Sequence, residues 1–180
     1  SSAASDVYKR QPLEYMVAVI NNFGGFYSTE FYVHEARKLG GTVEAPCVQQ
    51  GDYPTVIRGT TIYLGFVLLH GLDETVGVTI GRERQEGGPF SNLTDFIDRV
   101  PIGIEQLSLL IRIGAFRFTG IAKQTLLWEA HHMLKGHKQS AVPAASPSLF
   151  KGTVSSHDYK VPLLEQSPLE RAFDEIELLG

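Results

Sequence analysis

The residues best placed for chemistry lie between positions 62 and 84, where an apolar run leads to Gly71 and then to Asp73. The glycine lets the chain turn tightly, and Asp73 stands where a helix N-cap would be. Unpaired backbone N–H groups at such a helix start, together with the positive end of the helix dipole, hold anions. The layout predicts a helix-hairpin-helix that contacts a phosphate backbone. An ordinary helical corner is the alternative.

A second turn of the same kind is predicted at Gly114, between an apolar stripe that ends at Ile111 and a long helix that contains Ala122 and Met133. Polar and basic side chains close to such turns can add phosphate contacts. For each arginine, the alternative is a solvated helix face. The residues predicted to bind DNA are Gly71, Leu72, Thr75, Arg82 and Arg84 at the first turn, and Gly114, Arg117, Thr119 and Lys123 at the second.

Other polar groups do not form a catalytic or metal-binding pattern. Adjacent residues point about 100° apart on a helix, so His131 and His132 diverge, and no Asp or Cys near them or near His137 completes a ligand set. Residues 155–158 place Ser, His and Asp consecutively in a loop, whereas triad members converge from separate elements. Carboxylates on predicted helix flanks, such as Asp95, suit solvated faces better than a paired-metal site. No catalytic residue and no metal site is predicted.

The composition and net charge of the chain argue against several classes of protein. The chain has 180 residues, 43% of them hydrophobic and 20% charged, so it can bury a core, and no apolar stretch is long enough to cross a bilayer. The net charge of −4 argues against bulk electrostatic binding to nucleic acid, but residues 82–138 carry eight Lys or Arg against six Asp or Glu. Cys47 is the single cysteine and is expected to be buried. With no secretory signal, a reducing cytoplasm is the expected location.

Successive apolar stripes at helical spacing predict a mainly α fold, a helical bundle with tandem helix-hairpin-helix-like units. β-Branched residues on both sides of Gly59 predict one short β-hairpin near residues 55–64. Gly77 and Gly81 each cost about 1 kcal/mol in the helix expected from Asp73, which suggests a close packing contact. Aromatic residues on the stripes are predicted to be core: Phe31, Tyr32, Phe96 and Trp128. The predicted N-caps are Ser28, Asp73, Ser91 and Ser167, and Gly40 is predicted to end the helix that follows Ser28.

Five segments are predicted along the chain. Residues 1–11 resemble translated read-through of a sequencing adapter, with a flexible polar terminus as the alternative, so the native fragment is expected to begin near Pro12 and to stop artificially at its last residue. Helices at 12–50, a helix-hairpin-helix module at 51–135, a polar linker at 136–162 and an amphipathic helix at 163–180 are expected to follow. The last helix is expected to pack on the helical body or on a following domain.

Several segments, in order along the chain, carry a resemblance to a known family. They include Gly88-Pro-Phe-Ser-Asn-Leu-Thr-Asp-Phe-Ile-Asp-Arg-Val100 and residues 12–18, 24–40, 45–48, 64–66 and 113–116. Together they resemble the late fingers region of the bacterial DNA polymerase III alpha subunit family, the replicative family C polymerases. Residues 173–180 resemble the family's approach to its next domain. One residue departs from the pattern: relatives usually have a second glycine at the position of Asp73, whose carboxylate would repel a phosphate unless it is turned away as a cap.

The resemblance implies a parent protein that is a DNA-directed DNA polymerase, a nucleotidyltransferase that uses Mg²⁺ and carries its catalytic aspartates in a palm domain upstream. The present chain would then be non-catalytic, would need no cofactor of its own, and would bind the backbone of primer–template duplex. Regions outside it would bind the sliding clamp and other replicase subunits, and no membrane is involved. The alternatives are a stand-alone helix-hairpin-helix adaptor of repair or recombination and a protein-interaction scaffold.

Overall fold

The computed structural model describes residues 2–23, 27–139 and 177–179 of the chain, and most of them are helical. The helices are α1 (Ser2–Asn21), α2 (Thr29–Lys38), α3 (Glu74–Gly87), α4 (Leu93–Arg99), α5 (Ile104–Arg112) and α6 (Lys123–Gln139), with 3₁₀ turns at Phe66–Leu68 and Arg117–Thr119. Three strands, β1 (Thr42–Glu44), β2 (Val56–Arg58) and β3 (Thr61–Tyr63), form a sheet in the order β1-β3-β2. The predicted mainly α fold is confirmed.

The predicted hairpin is present, but the sheet has a third strand that the sequence analysis did not predict. Strands β2 and β3 pair antiparallel across a turn in which Gly59 has a φ of +65°. Strand β1 pairs in parallel with β3, with Val43 opposite Ile62. Three residues are too few to show a strand period, and the partner of β1 comes later in the chain, beyond β2. Only the folded chain brings the two strands together.

Helices α1 and α2 pack on this sheet around a small core. Its buried members are Leu13, Ala36 and Ile62. At the end of α1, the side-chain amide of Asn21 donates to the carbonyl oxygen of Thr55 at 2.8 Å, and its oxygen accepts from the N–H of Thr55 at 2.7 Å. This pair of hydrogen bonds ties the first helix to the segment that enters β2.

Helix caps follow the prediction at α2 and differ at α4. The side chain of Ser28 caps α2 by accepting from the N–H of Phe31 at 3.4 Å. Helix α4 is capped by Asn92, which accepts from the N–H of Asp95 at 2.9 Å, and not by Ser91 as predicted. Ser91 instead donates its own N–H to the Asp95 carboxylate at 2.8 Å. The N-cap therefore lies one residue later than predicted, because the backbone N–H of Asp95 donates to Asn92 while the carboxylate of Asp95 accepts from Ser91.

The main core lies between helices α3 to α6. Phe96 makes edge-to-face contacts with Phe90 and Phe116, with ring centroids 5.0 and 4.9 Å apart. Leu107, Leu110 and Ile111 of α5 and Leu126 and Ala130 of α6 are also buried, as is the cysteine at position 47. Phe96 is thus core as predicted, and the apolar stripes of α4, α5 and α6 face one another.

Two helices extend beyond the segments predicted for them. Helix α1 begins at Ser2, ahead of the start expected near Pro12, and Arg10 and Glu14 form an ion pair of 2.8 Å one turn apart along it. Helix α6 continues through the first residues of the predicted linker to Gln139, because a single glycine at position 136 weakens a helix without ending it. The rest of the predicted linker, from 140 to 162, lies outside the described residues.

The predicted C-terminal helix is described only at residues 177–179, which are helical; its predicted cap at Ser167 lies outside the described residues. Leu178 is 4% exposed and belongs to the main core. The side chain of Glu177 accepts a hydrogen bond from Arg112 of α5 at 2.6 Å. This short segment therefore packs on the helical body, which was one of the two partners expected for it.

Candidate nucleic-acid interface

The first predicted turn has the backbone geometry that the sequence implied. Gly71 has a φ of +86°, in the region that favours glycine, and α3 begins three residues later. The carbonyl oxygen of Asp73 accepts from the N–H groups of Val76 and Gly77, both at 3.1 Å, and so starts the helix. An apolar 3₁₀ turn, a tight glycine turn and a helix follow one another here, as in a helix-hairpin-helix.

Three backbone N–H groups at this turn have no acceptor among the described residues. They belong to Gly71, Glu74 and Thr75, which are all exposed. The intervening donors are occupied: the N–H of Leu72 donates to Leu69 at 3.3 Å. The first N–H groups of a helix lack intrahelical partners, so Glu74 and Thr75 offer donors at the positive end of the α3 dipole. The arrangement can hold an anion.

Asp73 does not cap α3 with its side chain, which corrects the role predicted for it. Its carboxylate accepts a hydrogen bond from the side-chain amide of Gln106 on α5, and its N–H donates to the Gln106 side-chain oxygen at 3.2 Å. A phosphate-binding role requires this carboxylate to be engaged by another group. Here that group is the Gln106 side chain on the neighbouring helix α5, and not the N–H groups of α3. The sequence does not predict the contact between Gln106 and Asp73, because a single glutamine in an amphipathic helix is common.

Of the two arginines predicted at α3, only Arg82 is placed for an external contact. The side chain of Arg82 is 59% exposed and lies 3.4 Å from Glu83. The side chain of Arg84 is 10% exposed. It donates to the carbonyl oxygens of Val48 at 2.8 Å and Gly51 at 2.6 Å, and it pairs with the Asp52 carboxylate. Arg84 thus holds the loop between β1 and β2 and is not placed for the predicted DNA contact.

The two helix glycines show the close packing that was predicted. A Cβ atom on Gly77 would lie 2.5 Å from Cδ2 of Tyr53 and 3.3 Å from Cβ of Phe66. A Cβ atom on Gly81 would lie 3.2 Å from the Asp52 carboxylate. The missing side chains let the loop before β2 approach α3 directly.

The second predicted turn is also formed, but most of its polar side chains bind the protein itself. Gly114 has a φ of +80° and its N–H donates to Ile111 at 3.0 Å, closing α5. Arg117 donates to the carbonyl oxygens of Ala45 at 2.9 Å and Pro46 at 3.0 Å. Like Arg84, Arg117 anchors the loop after β1, and sequence reasoning missed this role.

Thr119 and Lys123 complete the second turn. The Thr119 hydroxyl donates to the carbonyl oxygen of Phe116 at 2.9 Å and accepts from the N–H of Ile121 at 3.2 Å. Lys123 is half-buried at the start of α6. Of the nine residues predicted to bind DNA, Gly71 and Thr75 are exposed at the first turn, and Arg82 is exposed about two helical turns further along α3. Leu72 packs against the main core.

Two histidines of α6, His131 and His132, contact neighbours along the same helix. Nδ1 of His131 lies 2.8 Å from the carbonyl oxygen of Leu127, and the ring of His132 stacks on Trp128. Across the described ranges, no group of three or more His, Cys, Asp or Glu side chains is arranged to hold a metal ion. The Ser-His-Asp run at 155–158 lies outside those ranges. No helix among the described residues has the length and apolarity to span a bilayer.

Comparison with known proteins agrees with this geometry. Residues 40–126 match the family described as helix-hairpin-helix motif. The chain is 28% identical over 179 residues to DNA polymerase III subunit alpha of Treponema pallidum, covering 94% of this chain and 15% of the relative. It is 27% identical over 179 residues to the subunit of the same name from Thermus aquaticus, covering 93% of this chain and 13% of the relative.

A second group of relatives has a different name. The chain is 31% identical over 108 residues to error-prone DNA polymerase of Mycolicibacterium paratuberculosis, covering 59% of this chain and 10% of the relative. The chain thus spans only 10 to 15% of the length of these relatives. The match to the motif contains both turns, and the relatives with the fullest coverage extend it to nearly the whole chain. Residues 40–126 therefore carry a helix-hairpin-helix region, and nearly the whole chain is similar to a segment of the DNA polymerase III alpha subunits.

Proposed function

We propose that this chain is a non-catalytic, DNA-binding segment of a replicative DNA polymerase III alpha subunit, and that it holds the duplex backbone without reading its sequence. The observation that carries the proposal is the first turn. There, Gly71 at a φ of +86° precedes exposed N–H groups of Glu74 and Thr75 that lack acceptors among the described residues. Backbone donors at a helix start suit a phosphate oxygen and carry no base information.

The side chains near the turn divide into supporting and opposing groups. The Thr75 hydroxyl adds a donor at the turn, and the exposed guanidinium of Arg82 adds a positive charge about two helical turns along the same face of α3. Glu74 is exposed in the first turn of α3 and opposes an anion. The Asp73 carboxylate opposes it too, because the hydrogen bond from the neutral Gln106 amide orients the carboxylate without cancelling its charge. With a net charge of −4, the whole chain should bind duplex DNA weakly, at or below the non-specific range of roughly 10⁻⁴ to 10⁻⁶ M.

The parent protein in this proposal is a nucleotidyltransferase that performs template-directed DNA synthesis in the bacterial cytoplasm. The support is that the relatives aligned over 93 to 94% of the chain are DNA polymerase III alpha subunits. Mg²⁺ would supply the chemistry of the parent, but the described residues offer no group of ligands that fits it, so we assign it no role in this chain. The sliding clamp and other replicase subunits would bind regions outside the chain.

A titration of the full chain with duplex DNA tests the proposed contact. In NMR spectra at low salt, the amide signals of Gly71, Glu74 and Thr75 should shift equally with two duplexes of unrelated sequence. Arg82→Glu should lower the affinity for both duplexes to the same extent, because a phosphate contact carries no sequence information. Arg37→Glu, a charge reversal at an exposed residue of α2, serves as the matched control.

Two outcomes would contradict the proposal. If the three amide signals stayed in place while duplex bound elsewhere, the first turn would be a structural corner only. If Arg37→Glu and Arg82→Glu weakened binding equally, the loss would reflect net charge and not a local contact.

A reading frame upstream that lacks a carboxylate-bearing palm domain would favour the stand-alone repair adaptor.

A further inference from the structure

Helix α6 carries an exposed aromatic side chain that the sequence analysis predicted to be core. Trp128 is 47% exposed, and the imidazole ring of His132 stacks parallel to its indole with centroids 5.5 Å apart. The buried face of α6 consists of Leu126 and Ala130. Trp128, His132 and Lys135 are spaced i, i+4 and i+7, and all three are exposed, so they form one outward stripe. We call these three residues the α6 stripe.

The charge around the α6 stripe is positive, although the chain as a whole is negative. Helix α6 contains three lysines, Lys123, Lys135 and Lys138, against one acidic residue, Glu129. The other exposed aromatic pair, Tyr27 and Phe31, stacks at 4.4 Å beside α2, where two acidic and two basic residues cancel. Among the exposed stacked aromatic pairs in the described ranges, only the one in the α6 stripe lies on a helix with an excess of positive charge.

We propose that the α6 stripe binds single-stranded nucleic acid, with an unpaired base stacked on the Trp128–His132 pair and a neighbouring phosphate near Lys135. Aromatic side chains accept any base because every base has a π face, and positive charge beside them follows the backbone. A paired base is already stacked in its duplex, so an exposed indole selects unpaired strands. The α6 stripe does not depend on the hairpin contacts proposed above. The two surfaces would let one module hold duplex and single strand at the same time.

The single tryptophan makes the proposal directly measurable. Titrating the full chain with oligo(dT) of about 12 nucleotides, within the usual site sizes of single-strand binding folds, should quench the Trp128 fluorescence. A blunt duplex at the same phosphate concentration should quench it much less. Trp128→Ala should weaken oligo(dT) binding by about tenfold, measured by anisotropy of a labelled strand, while leaving duplex binding unchanged. Trp128→Phe, which retains a ring, should recover part of the loss.

Charge and control variants complete the test. Lys135→Gln should lower the slope of log affinity against log salt by about 0.7, the value for one phosphate contact on a single strand. Tyr27→Ala removes an exposed stacked ring beside α2 and should change neither the affinity for oligo(dT) nor the affinity for the duplex. The proposal is overturned if oligo(dT) leaves the fluorescence of the unaltered chain unchanged, or if duplex quenches it as strongly. It is also overturned if the affinity of Trp128→Ala for oligo(dT) stays within about twofold of the affinity of the original chain.

Discussion

Arg82 and Arg84 provide a sharp test of the reasoning, because they lie two residues apart on one helix and have opposite environments. The perturbation is Arg→Gln at each position, which removes the charge and leaves a shorter polar side chain. The Arg84 side chain is 10% exposed and donates to Val48, Gly51 and Asp52, whereas the Arg82 side chain is 59% exposed and lies near Glu83 alone. The first substitution should affect folding and the second should affect binding.

The magnitude for Arg84→Gln follows from its partners. Removing one member of a buried charged pair costs about 3 to 5 kcal/mol. Asp52 is 25% exposed and keeps Arg58 at 3.4 Å, so we lower the expected loss in the free energy of unfolding to about 2 to 3 kcal/mol. For a chain of this size, such a loss corresponds to a fall in Tm of roughly 5 to 10 °C. Arg82→Gln should stay within about 0.5 kcal/mol of the original chain.

Urea unfolding followed by circular dichroism measures both variants, and duplex titration at several salt concentrations completes the comparison. Arg82→Gln should lower the salt slope of duplex binding by about 0.9, the value for one phosphate. Equal unfolding free energies for the two variants would refute the structural role of Arg84. A loss of duplex affinity confined to Arg84→Gln, with stability preserved, would show that the assignment of the two side chains is reversed.

Three further substitutions test the packing around the first turn. Gly77→Ala should gain about 1 kcal/mol of helix propensity but lose about 1 to 3 kcal/mol to overpacking against Tyr53, so thermal unfolding should report a net loss of about 1 kcal/mol. Gly71→Ala should cost about 1 to 2 kcal/mol because its φ is +86°, and the same preparation should bind duplex DNA less well; full stability would show that the turn relaxes. Leu178→Ala should destabilise by about 2 kcal/mol, at the low end for a core leucine because the short segment can undock. Hydrogen exchange at the amide of His70, which donates to the Leu178 carbonyl at 3.1 Å, should then accelerate, and unchanged exchange would contradict the docking.

Much of the fold could be predicted because the relevant signals are local. A glycine at 40, 71 or 114 after an apolar stripe adopts positive φ for reasons contained in a few neighbouring residues, and all three do so. The hairpin around Gly59 follows from β-branched residues on either side of a turn. These features need no knowledge of distant parts of the chain. The same is true of the segments that revealed the family.

The candidate site was predicted less completely, since a side chain's role depends on what lies opposite it. Arg84 and Arg117 resemble phosphate-binding residues in sequence, and both bind backbone carbonyls of the loops that follow β1, 33 to 72 positions away. Trp128 occupies an apolar stripe by spacing, yet α6 turns it outward and buries its neighbours. Periodicity identifies a face of a helix but not which edge of that face the rest of the protein covers.

The sequence by itself determined the helices, the two glycine turns and the resemblance to the DNA polymerase III alpha subunits, because backbone preferences and motif order act over short distances. Tertiary structure alone decided which polar groups remain available at the surface. Packing placed Gln106 beside Asp73 and so fixed that carboxylate by a hydrogen bond to α5, and it paired strand β1 with a partner beyond β2. A folded chain satisfies its buried donors first, and the exposed N–H groups of Gly71, Glu74 and Thr75, which have no acceptor in the part of the chain that the structure describes, can then serve a ligand.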